Sequence, residues 1–270
     1  MSSKIRKVLL YIILALFSII FILPFVYALY TSFLELQDVD KIVGFNRMTM
    51  DNYKTLITNY PIGKWYRNTI IMTAIILLGN CFTNTMAGYA LSKLKFKGQR
   101  FIFFIVLATM MVPYQMILIP VYIMMAKIGW LNSFASLTVP YLYQCLYIFL
   151  MRQFYASIPN ELLEAARIDG LTKAGAFFKI VMPLSKSAMV TMMIISFTGT
   201  WNSYMIPSTF VSKEDMYVLT VGLNTTKDLF FDRTNLTMAG VVLTTIPVII
   251  FFLIFQKQYV QGIATSGLKS

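Results

Sequence analysis

Two groups of residues in this 270-residue chain could do chemistry. The first is a set of neutral polar side chains lying inside long apolar stretches. Asn80 and Asn84 are four apart and so share one helix face; Gln115, Gln144, Trp201, Asn202 and Tyr204 complete the set. Amides beside an aromatic face can hold the hydroxyls and the C–H surface of a neutral solute such as a sugar. The same side chains also bond one membrane helix to another, so both readings stay open for each residue, with Trp201 and Asn202 the leading pathway candidates. The second group is a polar interruption, Ser157-Ile158-Pro159-Asn160-Glu161-Leu162-Leu163-Glu164-Ala165-Ala166-Arg167-Ile168-Asp169-Gly170, continuing to Pro183-Leu184.

Acid–base and metal chemistry have little to work with. The chain has no histidine, and its two cysteines, Cys81 and Cys145, both fall in apolar stretches, where a thiol behaves as a small apolar group. A membrane-embedded enzyme would need an intramembrane acid, base or activated nucleophile. No Gly-x-x-x-x-Gly-Lys-Ser/Thr phosphate loop is present.

Six intervals lack Asp, Glu, Lys and Arg: Val8–Leu34, Asn68–Ser92, Phe101–Ala126, Ile128–Met151, Ser187–Ser212 and Thr234–Gln256. The shortest has 23 residues, and crossing a hydrocarbon core takes about 20 apolar residues in a helix. Lipid offers backbone groups no partner, so each interval is expected to be helical. The chain therefore reads as an all-α membrane protein of six transmembrane helices. The first interval is too long for a signal peptide and reads as a retained helix. Pro24, Pro113, Pro120, Pro140, Pro207 and Pro247 are expected to kink the spans that hold them.

Charge sets the orientation. The N-terminus, residues 93–100, residues 152–186 and the C-terminus together hold 14 basic and 3 acidic residues, whereas the alternate loops hold 9 and 8. Cytoplasmic loops collect Lys and Arg, which puts both termini and the 152–186 loop in the cytoplasm. The net charge of +12 thus faces anionic lipid and not nucleic acid. The division expected is residues 1–67, a first helix with a folded external segment, then a five-helix core over 68–270 carrying the loop at 152–186.

Within that loop, Asn160 is expected to cap a short helix, Glu161 and Glu164 to favour its positive end, and Gly170 to stop it in the left-handed conformation. Thr172 can cap a second helix with Phe177, Phe178 and Val181 on its apolar side. The small Ala165–Ala166 pair would let another surface approach the first helix closely, as a partner's groove requires; an amphipathic helix on the lipid surface is the competing reading.

The segment resembles the EAA motif of permease subunits in binding-protein-dependent ABC importers: Glu164-Ala165-Ala166, then Asp169-Gly170, then Ile180-Val181-Met182-Pro183-Leu184. Asn68-Thr69, Ala87-Gly88-Tyr89-Ala90-Leu91-Ser92, Phe96-Lys97-Gly98, Met111-Val112-Pro113, Ile119-Pro120, Trp201-Asn202 and Phe255–Gly262 extend the likeness to the maltose-type carbohydrate branch, specifically the second, six-span permease of the pair. Gly88, where the family usually has Ala, and Ser266-Gly267-Leu268-Lys269 at the C-terminus depart from it. The resemblance implies a MetI-like, type I importer fold in a bacterial cell membrane. It implies a heterodimer with a homologous permease, two cytoplasmic ATPase subunits that hold ATP and Mg, and an extracytoplasmic sugar-binding protein, with no cofactor on this chain. It assigns ATPase coupling to Leu163, Glu164, Ala165, Ala166, Arg167, Ile168, Asp169 and Gly170: Glu164 and Arg167 for polar contacts, Leu163, Ala166 and Ile168 for apolar docking, Gly170 for the turn. It leaves the cargo open between a sugar and a polyol or phosphorylated polyol. A stand-alone channel or carrier would not need the loop.

Overall fold

A computed structural model describes residues 3–226 and 233–267, whose regular structure is all helical with no strand among them. The order is α1 (Ser3–Ser32), α2 (Asp51–Asn59), α3 (Ile62–Lys93), α4 (Gln99–Met110), α5 (Tyr114–Lys127), α6 (Phe134–Thr138), α7 (Cys145–Ala156), α8 (Asn160–Ile168), α9 (Lys173–Leu184), α10 (Lys186–Trp201), α11 (Met205–Phe210), α12 (Leu219–Thr225) and α13 (Thr234–Gly267).

The six apolar intervals reappear, in two forms. Four helical stretches are long and apolar enough to cross a bilayer alone: Lys4–Ser32, Ile62–Lys93, Phe134–Ala156 and Thr234–Lys257. Two further helix pairs pass the same test only when taken together and are sharply bent, α4 with α5 at 101° and α9 with α10 at 77°, which makes up to six spans if each pair counts as one. At 1.5 Å per residue the 12-residue α4 covers about 18 Å, short of a hydrocarbon core of about 30 Å, so that span needs both arms. The first bend follows Met111-Val112-Pro113, where Pro113 withholds an N–H.

The spans over Ile128–Met151 and Ser187–Ser212, expected to kink at Pro140 and Pro207, are both broken outright. Around Pro140 the chain passes through a 3-10 turn, Val139–Tyr141, and is non-helical at 142–144 before α7 begins. The other break spans residues 202–204, between α10 and α11.

The chain forms two compact units, one of residues 1–63 with 219–247, the other of 64–218 with 248–270. In the first unit, Lys4–Tyr27 of α1 are exposed on every side, a surface suited to lipid. Past its end lies the expected folded segment. Asn52 donates to the carbonyls of Ser32 and Leu34, both at 2.8 Å, and Asn235 donates to Leu34 O at 3.1 Å and Asn52 Oδ1 at 2.9 Å. Buried Asp38 pairs with Arg47 at 2.7 Å.

In the second unit a short connection joins α5, ending at Lys127, to α6, starting at Phe134. Asn132, at φ 58°, accepts from Ser212 N at 2.7 Å and Lys213 N at 2.9 Å. Asn68 donates to the carbonyls of Asp215 and Tyr217 at 2.8 and 2.9 Å, and Lys64 meets Asp215 at 2.9 Å. That pairing, with its charge-assisted hydrogen bond, holds the Asp215 carboxyl below its ordinary range.

Candidate functional site: the 157–184 knob and a polar cavity

The polar segment folds as two short helices on one apolar base. α8 ends in a Schellman arrangement: Gly170 N donates to Arg167 O at 3.1 Å and Leu171 N to Ala166 O at 2.9 Å, with Gly170 at φ +81°. Thr172 then caps α9 through Gly175 N at 3.0 Å, as its type predicts. Asn160 does not cap α8. It is the first helical residue, and its Oδ1 instead accepts from Lys93 Nζ at 2.9 Å while Ile158 O accepts from the same ammonium. A basic residue at the end of α3 therefore fixes where α8 starts. Further on, Pro183 lacks the N–H that Lys179 O would accept in an α-helix, and the preceding residues Phe177–Val181 widen into a π turn.

The base of the knob is aromatic. Tyr89, Tyr155, Phe177, Val181 and Met151 form a buried cluster with Met192. The Tyr89 and Phe177 rings lie 5.0 Å apart, Tyr89 meets Tyr155 edge-on at 6.3 Å, and Tyr89 Oη donates to Lys173 O at 3.1 Å. Gly88 makes this closeness possible. A Cβ there would lie 2.8 Å from Met151 Cβ and 3.0 Å from Arg152 N, so α3 and α7 touch backbone to backbone. Arg152 finishes the joint, its guanidinium 3.7 Å over the Phe103 ring and its Nε donating to Leu91 O at 3.3 Å.

The coupling candidates divide by face. Ala166 is buried to 2% exposure and Leu163 packs against the aromatic cluster. Both were expected on an outward docking surface; the 3.6-residue period puts them on one side of the helix, and that side faces the aromatic cluster, where they seat α8 on its own base. Glu164, Ala165, Arg167, Asp169 and Gly170 are exposed, and Ile168 is 87% exposed, with Leu162 beside them. An isoleucine so exposed at the end of an anchored helix is an apolar contact without a partner inside the chain.

A second feature lies between the two broken spans, a cavity of about 200 Å³. Its polar wall is Asn80, Gln144, Tyr147, Ser196, Thr200 and Ser203, with Met72, Ile76, Leu137 and Ile206 among its apolar parts. Of the seven pathway candidates, Asn80 and Gln144 therefore line it. Asn84 is wholly buried behind it: its Oδ1 accepts from Gln144 N at 2.9 Å, and its Nδ2 donates to Asn80 O at 2.9 Å. Asn80 lies 2.9 Å from Ser196 Oγ, and with its amide rotated it donates to the carbonyls of Tyr141 and Leu142 at 3.0 and 3.2 Å. Thr83 Oγ1 also donates to Leu142 O. The break at 142–144 frees backbone groups that lipid cannot satisfy, and side chains of α3 satisfy them. The shared face of Asn80 and Asn84 thus serves first as a clamp on the broken span.

The remaining candidates lie off the cavity. Gln115 is exposed. Trp201 is buried against Phe197, at 5.5 Å with near-parallel rings, and Phe197 in turn stacks on Phe251 at 3.8 Å. Asn202 donates back to Thr198 O at 3.0 Å, and Tyr204 is 45% exposed. Sequence reasoning missed Tyr147, Ser196, Thr200 and Ser203. Their signal was available: Ser196, Gly199, Thr200 and Ser203 recur at helical spacing as one small polar stripe on the fifth span.

Comparison with known proteins agrees with this architecture. The chain is 31% identical over 223 residues to the arabinooligosaccharides transport system permease protein AraQ of Halalkalibacterium halodurans, covering 82% of this chain and 80% of that one. It is 31% identical over 208 residues to the sn-glycerol-3-phosphate transport system permease protein UgpE of Yersinia pestis, covering 76% and 74%. It is also similar to a chain in the crystal structure of a bacterial ABC transporter involved in the import of the acidic polysaccharide alginate, with a TM-score of 0.84 and 25% identity over 95% of this chain and 98% of that one. Residues 79–265, from the clamp on α3 to the end of α13, match the family described as binding-protein-dependent transport system inner membrane component, and the chain belongs to that family.

Proposed function

We propose that this chain is the membrane-spanning permease of an ABC importer for a saccharide, and that the exposed face of α8 is where ATPase motion enters the bundle. The observation that carries the coupling role is the split of α8 into two faces. Ala166 and Leu163 fix it to the buried Tyr89–Phe177–Tyr155 base, while Leu162, Glu164 and Ile168 stay uncovered. A helix held at its start by Lys93 and at its end by the Gly170 turn moves as one piece with α3, α7 and α9. The 152–186 loop then lies in the cytoplasm, on the side its basic residues select. Because the chain carries no phosphate loop, nucleotide chemistry falls to two partner ATPase subunits. A second homologous permease completes the pathway, and a binding protein delivers the cargo from outside. The cargo named for AraQ, arabinooligosaccharides, supports a saccharide; that of UgpE, sn-glycerol 3-phosphate, supports a phosphorylated polyol as the second reading.

The test is Ile168→Asp. The side chain is 87% exposed, so folding does not depend on it, yet a carboxylate there would be desolvated in any docked groove. Uptake is expected to fall at least tenfold, with the co-expressed ATPase subunit lost on purification and membrane abundance unchanged. Gly170→Val, which forces a β-branched residue to φ +81°, should do the same through the turn. Normal uptake with a retained ATPase subunit in both variants would overturn the coupling role.

A further inference from the structure

We propose that the cavity between the two broken spans is a binding site for one ring of a neutral saccharide, and that it rejects phosphorylated or carboxylated cargo. This rests on the importer reading above and narrows its substrate.

Size comes first. At about 200 Å³ the cavity holds roughly seven waters, below the ~300–1,000 Å³ of pockets for drug-sized ligands, which suits a single ring. Chemistry comes second. The wall offers the hydroxyls of Ser196, Thr200 and Ser203, the Gln144 amide and the Tyr147 ring, groups that can both donate and accept. A sugar hydroxyl needs that alternation, and the Tyr147 ring gives its C–H surface an aromatic neighbour. Location comes third. The cavity sits where the fourth and fifth spans both lose helical structure, at 142–144 and 202–204, and irregular backbone at membrane depth occurs where it lines a polar space.

Charge decides the class. None of the residues lining the cavity is charged, so a phosphate or uronate would lose its hydration with no counter-charge in return. The positive end of α7 adjoins the space, but Gln144 N is already taken by Asn84 Oδ1 at 2.9 Å. The cargoes of similar proteins fall on both sides of this line: an arabino-oligosaccharide, against sn-glycerol 3-phosphate and the acidic polysaccharide alginate. The wall of this chain places it with the neutral group.

The experiment uses a strain lacking this chain, complemented with the full-length wild type. Uptake is measured for labelled neutral arabino-, malto- and chito-oligosaccharides, for sn-glycerol 3-phosphate and for an alginate trisaccharide. Chain-dependent uptake of at least one neutral probe and of neither anion is expected. Thr200→Val and Ser203→Ala, which remove a hydroxyl with little change in volume, should each lower the neutral uptake rate about tenfold at unchanged membrane abundance and melting midpoint. Gln115→Leu, off the cavity, should leave it at the wild-type rate. Chain-dependent uptake of either anion, or wild-type rates in both hydroxyl variants, overturns the proposal while the importer reading stands. Uptake of no probe at all overturns both.

Discussion

Asn84 is where a structural role and a pathway role predict opposite measurements. Replacing it with leucine keeps the volume close and removes two bonds: the one its Oδ1 accepts from Gln144 N at 2.9 Å, and the one its Nδ2 donates to Asn80 O at 2.9 Å. An average side-chain bond between membrane helices contributes only about 0.6 kcal/mol, because the separated helices find other partners. Gln144 N–H is different. It lies at a break in its span, has no carbonyl four residues back to fall back on, and once stranded costs about 1–3 kcal/mol. Gln144 also borders the cavity, where water can recover part of that loss. The balance is about 1–2 kcal/mol, which on the scaling of soluble proteins of this size lowers the melting midpoint by roughly 2–8 °C. The assay heats detergent-solubilised protein and follows the monodisperse peak on size-exclusion chromatography, with uptake per molecule measured in parallel. The structural role predicts a lower midpoint, and uptake per folded molecule within about threefold of wild type. An unchanged midpoint with a tenfold loss of uptake would refute the reasoning and make Asn84 a cargo contact.

Gly88→Ala sets two magnitudes against each other. Alanine favours the helix by about 1 kcal/mol, but its Cβ would meet Met151 Cβ at 2.8 Å and the Arg152 backbone at 3.0 Å, overpacking that costs about 1–3 kcal/mol. The neighbour is backbone and cannot swing aside, so a net loss of about 1 kcal/mol is expected in the same melting assay; a gain would show that α3 and α7 separate freely. Lys93→Met keeps the aliphatic stem and removes the bonds to Ile158 O and Asn160 Oδ1. Amide exchange over residues 161–166 should then quicken about tenfold while α7 stays protected; equal protection in the variant would mean that Lys93 does not hold α8.

Much of this architecture was legible in charge spacing alone, because a charge inside lipid is costly enough to leave its absence as a clear mark. The Gly170 stop and the Thr172 cap were legible for a similar reason. Each depends on local backbone geometry, and the residue that satisfies it is encoded within three positions of the bonds it makes. Asn160 was misread because Lys93, 67 positions earlier in the chain, takes its side chain. Which face of α8 turns inward was likewise hidden, since the period shows that Leu163 and Ala166 share a side but not that Phe177 and Tyr155 lie beneath it. Gly88 stood out in the sequence only as a departure from a pattern, and the touching backbones of α3 and α7 give it a cause.

The pathway candidates show the limit most clearly. Asn80 and Asn84 share a face, as their spacing required, but a face says nothing about what it meets. Here it meets a span that Pro140 has opened, and an opened span consumes amides before any solute can. Trp201 attracted attention as a large aromatic beside an asparagine, yet its ring continues a stack through Phe197 to Phe251, 50 residues further on, and so belongs to packing. The other polar groups on the cavity wall are modest ones, Thr200 and Ser203 beside Ser196, which meets Asn80, and all three are small enough to leave space. In a bundle of this kind a proline within a span locates the neighbouring amides that will be spent on backbone. A polar group on the cavity wall that no freed carbonyl claims is then the better candidate for cargo, which places Thr200 ahead of Asn80 and Asn84.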